Sequence, residues 1–124
     1  MIKVYVSGAM TGVPMKNKPA FDAAQHWLEL QGYLVINPTN KPNEILTREA
    51  TPEEYYAFMR QDIYDILYKD GGVQEIWFLP GWEKSRGARY EMHTAKICGL
   101  KIKFVPQDVI THYQKEAAHD HRAV

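Results

Sequence analysis

Residues 73–106 read VQEIWFLPGWEKSRGARYEMHTAKICGLKIKFVP. Val73–Pro80 mixes β-branched and aromatic residues and is closed by Pro80-Gly81, the pattern of a strand that runs into a turn. Ser85–Gly99 has the polarity and length of a helix, opened by Ser85 or Gly87 and capped by Gly99. Leu100–Pro106 (LKIKFVP) reads as the next strand. Strands alternating with helices imply a parallel arrangement, because parallel neighbours need crossover connections. This segment therefore predicts a βαβ unit, and the rest of the chain extends it.

Upstream, Ile2–Ser7 (IKVYVS) predicts a first strand, and residues 8–19 a Gly- and Pro-containing loop. AFDAAQHWLELQG (20–32) places Phe21, Ala24, Trp27, Leu28 and Leu30 at helical spacing, with Pro19 at its start and Gly32 at its end. YLVINP (33–38) is a second short strand, and residues 39–50 are polar and irregular. The helix over 51–72 is the clearest. Thr51 is its N-cap, Pro52 suits the first position, and Glu53 and Glu54 favour the positive helix end. Its apolar stripe is Tyr55, Phe58, Met59, Ile63, Ile66 and Leu67, and Gly71-Gly72 stop it. Downstream, residues 107–119 predict a terminal helix and DHRAV (120–124) a frayed end. The order β-α-β-α-β-α-β-α predicts a small doubly wound, flavodoxin- or Rossmann-like three-layer α/β sandwich with a parallel sheet of four to five strands. We expect a single domain over 1–124, with a core at 1–106 and a C-terminal helix and tail at 107–124.

The 124-residue chain is long enough to bury a core without covalent staples. Hydrophobic residues make up 45% and charged residues 24%, as in ordinary globular domains. Fifteen basic residues balance fifteen acidic ones, which argues against a duplex nucleic-acid binder. A lone Cys98 can form neither an internal disulfide nor, by itself, a zinc site. With no apolar leader or bilayer-length run, the reading is cytoplasmic, without a membrane partner.

In doubly wound sheets ligands bind beyond the carboxyl ends of the strands. SGAMTG (7–12), NPTN (37–40) and PGWEKSRG (80–87) occupy those ends. The first lacks the spacing of a phosphate-binding P-loop or dinucleotide fingerprint; it is either a plain turn or a loop that brings backbone N–H groups to an anion. The third opens a helix, whose free N–H groups suit a phosphate or carboxylate. Lys84, Arg86 and Arg89 would strengthen that field and keep Glu91, one turn in, ionised as a nucleophile or base. The plainer alternative is a surface Glu91 paired with Lys84 or Arg89. Asp62, in MRQDI, with Asp65 as its neighbour, is a second acid that could pair with Glu91, as two carboxyls do in glycoside chemistry; its plainer alternative is a solvated helix face. Tyr5 fits a core aromatic. Trp82, after Pro80-Gly81, could stack on a base or sugar, or else cover the helix or a subunit contact. His112, His119 and His121 lie near the end without an upstream ligand pattern, so no metal site is expected.

Taken together, KVYVSGAMTG (3–12), MRQDI (59–63) and SRGARYEM (85–92), in that order, resemble the nucleoside 2-deoxyribosyltransferase-like superfamily. LPGWEKSRGA (79–88) followed by a glutamate is similar to a small phage and prophage branch of that superfamily, made of short domains of unknown function. The free-nucleoside transferases carry an aspartate six residues before the nucleophile; Ser85 at that position is similar instead to the deoxynucleoside-monophosphate N-hydrolases. The resemblance implies a glutamate nucleophile at Glu91, a proton donor at Asp62 and an orienting hydroxyl at Tyr5. It implies substrate contacts from Gly8, Met10, Thr11, Gly12, Trp82, Ser85, Gly87 and Arg89, with a 5′-phosphate at the helix end. Thr11 stands where the hydrolases tend to have an arginine. The reaction implied is cleavage or transfer of an N-glycosidic bond of a nucleotide or nucleoside through a glycosyl-enzyme intermediate, with carboxyls about 5 Å apart and no metal or organic cofactor. The rival expectations are a non-catalytic module for a nucleotide or an ADP-ribose-like ligand, and an interaction protein without ligand. Tyr55, Tyr56, Tyr64 and Tyr68 on one helix add the expectation of a homo-oligomer.

Overall fold

The computed structural model describes residues 1–123, with side chains through residue 116. Its elements are β1 (Lys3–Ser7), α1 (Lys18–Leu30), β2 (Leu34–Ile36), α2 (Asn43–Leu46), α3 (Pro52–Leu67), β3 (Glu75–Phe78), α4 (Arg86–Ile97), β4 (Lys101–Phe104) and α5 (Gln107–Ala123). The four strands form one parallel sheet in the order β2-β1-β3-β4. The doubly wound α/β expectation holds, with four strands.

The period-two alternation of the central strands sorts the core into two layers. Val4, Val6, Trp77 and Leu79 face α1 and α5, where Phe21, Ala24, Leu28, Val109 and Ile110 complete the packing. Tyr5, Ile76 and Phe78 face the other way, onto Ile66 of α3 and Met92 and Ala95 of α4. β1 is covered on both faces, which is why it reads as a nearly unbroken apolar run. The direction of winding reverses between β1 and β3, so a crevice opens beyond their carboxyl ends.

Three local expectations change. Residues 39–50, read as irregular, contain α2, whose Leu46 is buried. The inward face of α3 buries only Ile66 and Asp62, while Tyr55, Phe58, Met59, Ile63 and Leu67 are half-buried. The N-terminal half of α3 overhangs the crevice instead of the sheet, so its stripe meets a cleft where a core was expected. At the C-terminus the helix continues to Ala123, where fraying was expected from Asp120; the side chains of His119 and His121 lie outside the described residues.

The start of α3 is as the sequence predicts, with a reciprocal cap added. Thr51 Oγ1 accepts from the Glu54 N–H at 3.2 Å, and Glu54 Oε1 accepts from the Thr51 N–H at 2.9 Å. Arg48 donates to both oxygens of Glu54 and, with the cap, pushes that carboxyl down to about 2. This exposed fork ties the segment before α3 to the helix, and that segment forms one wall of the cleft. Tyr56, Tyr64 and Tyr68 point outward from α3 and are exposed. No helix among the described residues is long and apolar enough to cross a membrane. Cys98 is exposed and unpaired.

Candidate functional site

A cleft of about 930 Å³ opens at the β1/β3 crossover. This is within the size range of small-molecule sites. β1 delivers Tyr5 to its floor and Ser7 behind it, against Glu91, and the loop after β1 supplies Gly8, Met10, Thr11 and Gly12. α3 supplies Tyr55, Met59 and Asp62, and the start of α4 supplies Ser85, Arg86, Gly87 and Glu91. Gly8 is required by packing: a Cβ there would lie 2.8–3.0 Å from the Leu79 side chain, which lets the loop turn tightly over the sheet. Gly87 lets α4 approach α3, since its Cβ would meet Met59 Sδ at 3.2 Å.

Glu91 is 5% exposed and Asp62 9%, so both carboxyls are taken out of water at the cleft floor. Ser7 Oγ donates to Glu91 Oε1 at 2.6 Å. Burial, then the charge of Asp62, pushes Glu91 well above the usual carboxylate range, against the Ser7 hydrogen bond and the Lys41 ammonium. Burial likewise raises Asp62 to about 6, opposed first by Lys41. Two buried acids this strongly coupled titrate as a pair, which keeps one proton to a higher pH than either carboxyl would alone. This reverses the expectation that the helix end and its cations hold Glu91 ionised. Glu91 lies one turn inside α4, where the end field has decayed, and burial dominates. The first turn is already served by Ser85, the N-cap, whose Oγ accepts from the Ala88 N–H at 3.1 Å. The surface alternatives for Glu91 and Asp62 are excluded by the same burial.

Tyr5 is 1% exposed, and its hydroxyl has no hydrogen-bond partner. Burial first, then the charges of Glu91 and Asp62, raise the phenol well above its ordinary pKa. Tyr5 is thus both the core aromatic that its strand position predicts and a member of the site.

Two expected substrate contacts lie elsewhere. Trp82 is half-buried against Phe78 and Phe104, with ring centroids 5.1 and 6.4 Å away, and does not line the cleft. Arg89 is turned back along the surface, where its guanidinium donates to the Glu83 carbonyl at 2.9 Å. Lys84 and Arg86 do line the cleft, and neither is in an ion pair among the described residues.

Sequence reading missed three contributors. Ser7, expected to end the first strand and begin the loop, carries no side-chain role in the sequence analysis; its signal is a hydroxyl on the last residue of a central strand. Lys41, which donates to the Pro38 carbonyl and sits 5.3 Å over the Phe58 ring, biases both acids. No local pattern marks it, because its place depends on how residues 39–50 fold back. Tyr55 was assigned to the apolar stripe, yet its hydroxyl is buried at the cleft wall without a partner. Its spacing of seven from Asp62, on one helix face, is the signal that could have found it.

Among the described residues no group of three or more His, Cys, Asp or Glu side chains is placed to hold a metal ion. The residues that line the cleft can offer proton transfer between coupled carboxyls, a carboxylate nucleophile, and cations with helix N–H groups at one end. Comparison with curated proteins and with solved structures found no match. One family profile matches residues 2–104, which span every strand and the whole cleft, and the chain belongs to that family, the domain of unknown function DUF4406.

Proposed function

We propose that the protein cleaves or transfers the N-glycosidic bond of a nucleoside 5′-monophosphate or nucleoside, with Glu91 as nucleophile. The observation that carries this reading is the buried Asp62–Glu91 pair on the floor of an open cleft, with Glu91 held by the Ser7 hydroxyl. A retaining glycosidase needs one carboxylate and one carboxylic acid, and a coupled pair holding a single proton supplies both.

In the productive form the proton is on Asp62 and the charge on Glu91. The Ser7 hydroxyl and the Lys41 ammonium favour the ionised Glu91. Glu91 attacks C1′, an ester bond forms, and the C1′–N bond breaks. The bonding pair leaves with the base, which takes the proton from Asp62. Asp62, now ionised, then accepts a proton from water as the water oxygen attacks C1′ and frees Glu91. With a second base in place of water the same steps give transfer. The cationic character that develops at C1′ favours charge on Glu91, which offsets the cost of ionising it in a buried site.

The raised pKa of Glu91 also supports a second reading: a non-catalytic module that binds a nucleotide through a protonated glutamate. Chromatography of free base released from deoxy- and ribonucleoside monophosphates and free nucleosides, with and without acceptor base, separates the two. Release that vanishes in Glu91→Ala supports catalysis. Thermal stabilisation without release supports the module. The exposed Tyr56, Tyr64 and Tyr68 support a further reading, a contact between copies, and light scattering after size exclusion tests it.

A further inference from the structure

Among the described residues, two buried side-chain polar atoms have no hydrogen-bond partner, the hydroxyls of Tyr5 and Tyr55. Both residues line the same cleft. A buried hydroxyl without a partner is costly, and native structures rarely keep one without a use. Two in one cleft point to a ligand that brings acceptors to both. They mark different ends of it. Tyr5 belongs with Asp62 and Glu91 on the floor. Tyr55 belongs with the start of α4: a Cβ on Gly87 would lie 3.7 Å from its hydroxyl, and the Arg86 guanidinium sits 5.9 Å from its ring centroid.

We infer that Tyr55 is a specificity-determining residue whose hydroxyl donates to the phosphate of a nucleoside 5′-monophosphate, distinguishing it from the free nucleoside. This rests on the proposed function and deepens it. Lys84 and Arg86, the lining cations at this end, carry no carboxylate partner among the described residues. The acids Asp62 and Glu91 are at the other end. Gly87 and Glu91 are four residues apart on one face of α4, a rise of about 6 Å. A 5′-phosphate is separated from C1′ by the ring oxygen, C4′, C5′ and O5′, a span of similar length. A ligand with C1′ at Glu91 therefore carries its phosphate to Gly87 and Tyr55. Phosphate oxygens accept several hydrogen bonds, so one group can satisfy Tyr55 and the helix N–H groups together.

The test uses Tyr55→Phe, which removes one oxygen and leaves the ring against Arg86 and Gly87. Calorimetric titration of wild type and variant with matched deoxynucleoside 5′-monophosphates and deoxynucleosides reads affinity from the binding heats that precede turnover, with base release followed in parallel. The expected result is a loss of roughly ten- to a hundredfold for the monophosphate and none for the nucleoside. Without ligand the variant should melt no lower than wild type, because the hydroxyl it loses has no partner to leave behind; a purely structural hydroxyl would lower the melting temperature. Equal affinity of wild type and variant for the monophosphate, or equal loss for both ligands, would overturn the inference. So would failure of the monophosphate to bind wild type at millimolar concentration, and failure of both ligands would take the proposed function with it. Monophosphate binding that depends on Tyr55 without base release would sink the glycosidase reading and leave this subsite standing.

Discussion

Two glutamates are buried in this small protein, and they are treated in opposite ways. Glu75, at the amino end of β3, is 2% exposed. It accepts from the Trp77 indole N–H at 2.9 Å and pairs with the Lys103 ammonium at 3.3 Å. Lys103 is in turn placed 5.3 Å from the Trp77 ring centroid. That charge is answered within the fold, by a donor and a cation on Oε1. Glu91, near the carboxyl end of the same strand, is 5% exposed and has a hydroxyl and a second acid for company. No cation pairs with it among the described residues. A buried charge with a matched partner belongs to the architecture; an acid held beside a second acid on the floor of a crevice is a candidate for chemistry.

Replacing the acids tests that contrast most severely. Asp62→Asn removes the proton donor and should lower base release by roughly 10²- to 10⁴-fold, read by chromatography under saturating substrate. Glu75→Gln should leave the rate within a few fold. Its cost falls on stability, about 1–3 kcal/mol in urea unfolding, because Lys103 loses its charged partner.

The pH dependence of stability should separate the two sites further. Burial raises Asp62 from about 3.8 to about 6, so the folded protein binds protons more tightly than the unfolded chain. The contribution of such a group is fully present below the unfolded pKa and is lost as pH rises through the folded one. Asp62→Asn should therefore match wild type below about pH 4 and exceed it above pH 7, by on the order of 3 kcal/mol. A variant that is less stable at neutral pH would contradict the account of the pair. The smallest effect is expected at Arg89, which contacts the Glu83 carbonyl and not the cleft: Arg89→Ala should change nucleotide affinity by less than about twofold.

The difference between the two glutamates was only partly legible in the sequence. The βαβ segment over residues 73–106 shows its strands, turn and helix through local pattern alone, and α3 announces itself through Thr51, Pro52 and Glu54. Asp62 and Glu91 were found because the order of elements puts their segments at the crossover and because their motifs resemble a superfamily. For Glu91 the protonation differs from the expectation. Helix position and neighbouring cations are visible in sequence, whereas desolvation depends on what packs above a residue. Glu75 was passed over for the same reason, since its partner Lys103 arrives from the next strand. Trp82 was assigned to ligand stacking because a loop tryptophan has no obvious core; Phe104, exposed at the sheet edge, supplies its neighbour. Lys41 and α2 were missed because residues 39–50 carry no periodicity, and their fold follows from contacts made elsewhere.

The central claim, that Glu91 forms a covalent bond to the sugar, is tested most directly by rapid quenching and peptide mass spectrometry. Wild-type protein is mixed with each deoxynucleoside monophosphate, stopped in acid within one turnover, and digested. The account predicts a peptide containing Glu91 that is heavier by one sugar phosphate residue, formed together with free base and absent from Glu91→Gln. Base release with no adduct on that peptide, or release that survives in Glu91→Gln, would contradict it.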